Sequence, residues 1–364
     1  MVKFNVKQNK SICVLPWIQE FKSVGGHTAP CCVAKPLKDQ SMADIREQML
    51  QDKLPSACDI CYKSERQSNW SHRLEQTATW IKKYGEPDVN NPSIQYVDIR
   101  FDPTCNLKCK TCNPGSSTLW QKEKGIKFNV NQENYKELEK VNKSNLKKVY
   151  MAGGEPTFIK LYYDFLYNLY KVNPDCEVIV NSNLKKLPEA WKDIIKRFKN
   201  LSIICSCDAI HELGSYVRYP LGWEQFEENV KFASANANFF QFNLVCSNIT
   251  THKIFETCSW MSQYSKNISL EILTKPEIFS VASIPMNQRQ TYILELKKLK
   301  KFPVGLYQAV KFRSNINFLI NQLQKVQYNK SLHEQLRAEI MEQDSHRSLN
   351  LKDVDAFLYN WIYE

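Results

Sequence analysis

Residues 100–117, RFDPTCNLKCKTCNPGSS, follow directly from the run QYVDIRF (95–101) and carry three cysteines within eight residues. The alternation of that run predicts a β-strand. Cys105, Cys109 and Cys112 therefore form a C-x3-C-x2-C loop at a strand's C-terminal end. Three thiolates this close can face one iron–sulfur cube. Three ligands on a four-iron cluster leave one iron open to a small molecule, much as catalytic zinc sites keep a position for substrate. A structural zinc site is the alternative, but zinc wants a fourth ligand, and the next Cys is Cys176 and the nearest His is His72.

Downstream, short apolar or alternating runs recur at KKVYM (147–151), EVIVN (177–181), LSIICS (201–206), FNLVCS (242–247) and SLEIL (269–273). Segments of helical length separate them: 160–172, 190–200, 223–234 and 253–264. Strand, helix, strand at this spacing predicts a parallel sheet with right-handed crossovers, either doubly wound or an incomplete barrel. In both, the chemistry sits where the strands end at their C-termini. After about Lys275 the pattern is amphipathic helix, over 291–302, 315–326 and 332–343. Upstream, residues to about Glu86 are irregularly patterned and close with a predicted helix over 65–84, and GEPDVNNPS (85–93) reads as a linker. The expected organisation is a Cys-rich segment (1–86), an α/β core (94–275) and a helical C-terminal extension (276–364).

Across 364 residues, 43% are hydrophobic and 24% charged, which excludes disordered and collagen-like chains. Glycine is scarce, 10 residues, while cysteine reaches 13, eight of them within the first 112 residues. Four glycines form two pairs, Gly25-Gly26 and Gly153-Gly154. With no leader-like apolar stretch and no apolar run of membrane length, a cytoplasmic protein with no membrane partner is expected, and in a reducing compartment clustered cysteines are metal ligands or catalytic thiols. The net charge of +11 comes from scattered Lys and Arg, so it does not by itself call for nucleic acid. The run Lys297, Lys298, Lys300 and Lys301 reads as a solvated helix face.

The three-cysteine loop resembles the hallmark of the radical S-adenosylmethionine (radical SAM) superfamily, and the likeness continues along the chain. The second strand ends in Gly153-Gly154-Glu155-Pro156, similar to that family's GGE motif, whose backbone and Glu receive the methionyl ammonium of the cofactor. Glycines permit a close backbone approach and a carboxylate satisfies a cation. Asn181-Ser182-Asn183 and Ser206-Cys207-Asp208, followed by Arg218, resemble the polar strand ends that hold the cofactor's ribose and carboxylate; Ser182, Ser206 and Arg218 are the candidates. The resemblance implies a partial (β/α)6 barrel, a [4Fe–4S] cluster on Cys105, Cys109 and Cys112, and reductive cleavage of S-adenosylmethionine to a 5′-deoxyadenosyl radical that abstracts a substrate hydrogen. It also implies an electron donor such as flavodoxin or ferredoxin.

Twelve residues separate Cys13 from Gly26 and four separate Gly26 from Cys31, and Cys58-x2-Cys61 completes four thiols. This is similar to the Twitch module, a shortened relative of the SPASM domain, here preceding the core. It implies an auxiliary [4Fe–4S] cluster fully ligated by protein, with a four-cysteine zinc site as the alternative. Cys32 is an alternative ligand, although the Gly26 spacing selects Cys31. Cys176, Cys205, Cys207, Cys246 and Cys258 read as buried apolar residues, with Cys207 and Cys246 minor candidates for substrate contact; His27 is a neighbour of the second cluster. The expected substrate is a peptide or protein. The alternatives are a small metabolite, sugar or nucleotide, or a non-catalytic, metal-stabilised RNA-binding protein.

Overall fold

The computed structural model describes residues 4–23, 26–68, 70–127, 130 and 132–364; Gly25 of the first glycine pair lies outside the described residues. The N-terminal segment holds α1 (Leu15–Ile18), a hairpin of β1 (Phe21–Lys22) and β2 (Thr28–Ala29), α2 (Met42–Leu50), α3 (Asp59–Ser68) and α4 (His72–Tyr84). The helix expected over 65–84 is thus two helices. Ser71 starts the second, its side chain accepting a hydrogen bond from the Leu74 amide. Gly26, at φ +80°, makes the turn of the hairpin that returns the chain toward Cys31.

Beyond the linker run six strands: β3 (Tyr96–Ile99), β4 (Lys148–Met151), β5 (Glu177–Ser182), β6 (Leu201–Ser206), β7 (Phe239–Cys246) and β8 (Ile268–Ile272). Between them lie α5 (Thr118–Lys124), α6 (Glu133–Lys140), α7 (Lys160–Val172), α8 (Glu189–Arg197), α9 (His211–Val217), α10 (Trp223–Asn236) and α11 (Ile254–Met261). The chain closes with α12 (Arg289–Lys298), α13 (Leu306–Lys325), α14 (Lys330–Arg347), α15 (Leu351–Val354) and α16 (Ala356–Tyr363).

All six strands pair in parallel and in chain order, β3-β4-β5-β6-β7-β8. A doubly wound sheet reverses its strand order part-way, placing helices on both faces. A constant direction of right-handed crossovers keeps them on one face and curls the sheet, so this is the partial (β/α)6 barrel. Val97, Val149, Val178, Val180, Ile203, Phe242 and Leu244 point to the helix side, where they meet Leu166, Leu169, Trp191 and Phe226 in the main core. Strands β5 and β6 alternate buried with half-exposed residues, and register carries the half-exposed set across the inner face: Tyr150 beside Ile179 and Ser202, then Ser206 beside Asn243.

The N-terminal segment has its own core, built on Ile12, Trp17, Ile45, Met49, Tyr62 and Trp80. That core takes in Tyr96 and packs on Tyr150, so it sits over the inner face at the β3–β4 edge. Hydrogen bonds from the Ser93 and Gln95 amides to Trp17 O and Ile18 O (3.1 and 2.8 Å) fasten it there. At the opposite edge, α13 covers β8, Asn315 Nδ2 donating to Leu270 O at 2.7 Å. The C-terminal helices bury Tyr292, Phe312, Leu336 and Ile340 in the same core as the strands. Among the described residues, no helix is long and apolar enough to cross a membrane.

Candidate functional site

Between β3 and α5 the cysteine loop is pinned by its own backbone. Gly154 N and Glu155 N donate to Asp102 O and Thr104 O, each at 2.8 Å, so the turn after β4 lies directly on the start of the loop. This contact dictates the glycines: a Cβ on Gly154 would stand 2.2 Å from Thr104 O, and one on Gly153, at φ +104°, 2.9 Å from Asp102 O. The close approach that the glycines permit includes one to the chain's own backbone. Farther along, Lys108 N and Lys110 N donate to Tyr219 O and Val217 O, both at 2.7 Å, and Trp120 Nε1 donates to Cys109 O at 2.8 Å.

Cys105, Cys109 and Cys112 are each half-exposed and lie within electrostatic reach of one another. Burial, reinforced by the neighbouring thiols, pushes Cys105 up to about 12 and Cys109 up to about 11. Thiols so shifted are protonated near neutral pH unless a metal displaces the proton. Beside them is Arg218, only 9% exposed. Its Nη1 binds Asp208 Oδ2 at 2.7 Å, but its Nε is buried with no hydrogen-bond partner. Burial works against the guanidinium's charge, and Cys109 and Asp208 more than offset it. A buried cation with a spare donor beside three thiols fits an anionic thiolate centre.

Glu155 is fully buried, and desolvation raises its pKa. Its Oε1 accepts from Thr157 N (3.0 Å), Thr157 Oγ1 (2.6 Å) and Ser182 Oγ (2.7 Å), and its Oε2 from Asn183 N (2.7 Å). The carboxylate thus ties the β4 turn to the end of β5, and Ser182 spends its hydroxyl on Glu155. Asn183 reaches the loop itself, Nδ2 donating to Asn106 Oδ1 at 2.8 Å. Ser206 stands half-exposed on the inner face, its Oγ 3.2 Å from Asn181 Oδ1.

The four N-terminal thiols converge. Cys13, Cys31, Cys58 and Cys61 line one pocket, with Pro30, Val33, His72 and Arg73 among its walls. Burial pushes Cys13 and Cys31 up to about 12 and raises Cys58 and Cys61. Arg73 is clamped by Glu65, Nη2 to Oε2 at 2.6 Å and Nε to Oε1 at 3.0 Å, and donates to Ile12 O at 2.6 Å. Among the described residues, no three His, Cys, Asp or Glu close on a point that would hold a single metal ion. Cys32 is not among the pocket's walls; its thiol neighbours Asp98 and Arg100 of the sheet.

Three expectations are corrected. His27 is exposed at the hairpin, and the pocket's histidine is His72, which burial keeps toward its neutral form. Cys207 and Cys246 do not face the inner side: both are in the helix-side core, 1% and 3% exposed, because strand alternation gives them the parity of Cys205 and Leu244. The sequence also gave no sign of Lys110, buried beside the cysteines with its Nζ 2.6 Å from Asp344 Oδ1.

No protein-family model matches the chain. Among curated proteins it is similar to a GTP 3′,8-cyclase of Clostridium botulinum, 26% identical over 130 residues, which is 34% of this chain and 38% of that protein. It is also similar to a GTP 3′,8-cyclase of Helicobacter pylori, 22% identical over 244 residues, 65% of this chain and 73% of that one. The chain thus spans well under half the length of the first of these relatives. Among solved structures it is similar to native anSMEcpe with bound AdoMet (17% identity, TM-score 0.42, 57% of this chain and 59% of that one). Streptococcus suis SuiB bound to S-adenosylmethionine compares similarly (12% identity, TM-score 0.42, 72% and 61%). These relatives are radical SAM enzymes, the superfamily that the cysteine loop and the GGEP turn resemble.

Proposed function

We propose that the chain is a radical SAM enzyme whose reactive [4Fe–4S] cluster is held by Cys105, Cys109 and Cys112, with S-adenosylmethionine bound against Gly153, Gly154, Glu155, Ser182, Ser206 and Arg218. The observation that carries this reading is the group of three thiols at a strand end beside a buried Arg218 whose Nε has no hydrogen-bond partner. Cluster and cofactor together supply one-electron cleavage of the cofactor's C–S bond and hydrogen abstraction from a substrate. The protein's own residues fix the geometry. The Gly154–Asp102 and Glu155–Thr104 hydrogen bonds set the turn after β4 against the cysteine loop. Arg218 offsets thiolate charge. Cys13, Cys31, Cys58 and Cys61 hold an auxiliary [4Fe–4S] centre, closed because all four ligands come from the protein.

In this reading residues 1–86, 94–275 and 276–364 are the auxiliary-centre segment, the core and a helical extension, and a flavodoxin or ferredoxin delivers electrons in the cytoplasm. The substrate is a peptide or protein, an assignment that rests on the Twitch-like cysteine pattern. A nucleotide substrate is the second reading, favoured by the relatives named GTP 3′,8-cyclase. Anaerobic reconstitution with iron and sulfide, then incubation with dithionite and S-adenosylmethionine, should give 5′-deoxyadenosine and methionine. A Cys105→Ala/Cys109→Ala/Cys112→Ala variant should give none. A chain that takes up only zinc and leaves the cofactor intact contradicts the reading. Consumption of GTP in the same assay would replace the peptide with the nucleotide.

A further inference from the structure

We propose that α14 positions the three-cysteine loop, acting through Asp344 on Lys110, which lies between Cys109 and Cys112. The inference deepens the reading above, since it assigns a function to the geometry of those thiols. The Lys110 side chain is completely buried. Its Nζ stands 2.6 Å from Asp344 Oδ1 and 3.9 Å from the centre of the Tyr216 ring, and the Tyr216 hydroxyl donates to Asp344 Oδ2 at 2.9 Å. Placing a lysine in the interior is costly unless a partner is fixed opposite it. The partner here comes from 234 residues along the chain.

One turn on from Asp344, Arg347 makes a second tie. Its Nη2 and Nε bind Glu123 Oε1 and Oε2 at 2.8 and 3.1 Å, and the same carboxylate takes Lys108. The Arg347 guanidinium lies 4.8 Å from the centre of the Trp120 ring, whose Nε1 donates to Cys109 O. Both neighbours of Cys109 in sequence, Lys108 and Lys110, therefore lead to one face of α14, where residues three apart stand together. Cys109 is held from both sides, and Cys112 follows through its amide, which donates to Cys109 O at 3.0 Å. Helix α14 thus determines where two of the three thiols stand, and loosening it lets them move without unfolding the sheet.

The test uses the full metal-free chain, so it reads the loop whether or not the centre is iron–sulfur. Lys110→Met and Asp344→Leu each leave one buried charge and should lower the melting temperature; the double variant removes both and should recover it. In the double variant, iodoacetamide should alkylate Cys109 and Cys112 about tenfold faster than in the parent, with Cys13 and Cys31 unchanged. Tyr216→Phe, which removes only the hydroxyl that steadies Asp344, should accelerate the same two thiols about threefold. After reconstitution the double variant should show an altered midpoint potential at this centre. Parental alkylation rates at Cys109 and Cys112 in both variants would overturn the proposal. So would equal acceleration at all four thiols, because that is general loosening.

Discussion

Cys105, Cys109 and Cys112 come from one short loop, are partly buried, and are held by contacts from the turn after β4, from the end of α9 and the residues just after it, and from Trp120 of α5. Cys13, Cys31, Cys58 and Cys61 come from separated stretches of a segment with its own core, and each is buried. The contrast shows what each arrangement permits. A loop of three partly buried ligands leaves a position free for exchange, at the expense of depending on the barrel for its shape. Four buried ligands in a core built mostly from the N-terminal segment give a closed centre less dependent on the barrel.

The contrast is broken most severely at Gly154. Gly154→Ala would place a methyl 2.2 Å from Thr104 O, and we expect a loss of about 4 kcal/mol in urea unfolding. Metal at the three-thiol centre should be lost while the four-thiol centre keeps its own. The converse variant is Arg73→Ala, which leaves the Glu65 carboxylate without its bidentate partner. It should cost about 3 kcal/mol, with the faster hydrogen exchange confined to residues 4–86 and the β5–β6 amides unaffected. If β5 and β6 exchange as fast, the two regions are one cooperative unit.

Ser182→Ala asks whether the strand ends act through Glu155. Removing one donor from that buried carboxylate should cost about 1.5 kcal/mol and lower cofactor affinity without changing iron content. A further expected effect is a pH dependence. Burial opposes the charged form of Glu123, but hydrogen bonds from Arg347 and Lys108 more than offset it and take its pKa from 4.5 to about 2. A carboxylate depressed in the folded state stabilises above its unfolded value and loses that contribution as pH falls toward the folded one. Stability should therefore decline between about pH 4.5 and 2, and Glu123→Gln should flatten that segment of the curve.

Much of the fold was legible because the six runs are short and apolar or alternating, because stretches of helical length separate the last five, and because chain-order pairing needs no long-range information beyond crossover handedness. The three cysteines were legible for a similar reason, since ligands in one loop declare themselves by spacing. What the sequence hid depends on parity or distance. For Cys207 and Cys246 the buried apolar reading holds and the minor one, substrate contact, does not, because a single residue step reverses a strand's side. Lys110 looked like any lysine until Asp344 was found opposite it, and His72 lies beside the four thiols only because α4 folds back on α3. The close packing at Gly154 is between two backbones, which no side-chain pattern announces.

The claim that the two centres differ in openness is tested most directly by electron paramagnetic resonance of the reduced, reconstituted protein, with and without S-adenosylmethionine. In a Cys13→Ala/Cys31→Ala/Cys58→Ala/Cys61→Ala variant the remaining cluster signal should change when the cofactor is added. In the Cys105→Ala/Cys109→Ala/Cys112→Ala variant it should not. A cofactor-dependent change that survives loss of Cys105, Cys109 and Cys112 would contradict the account.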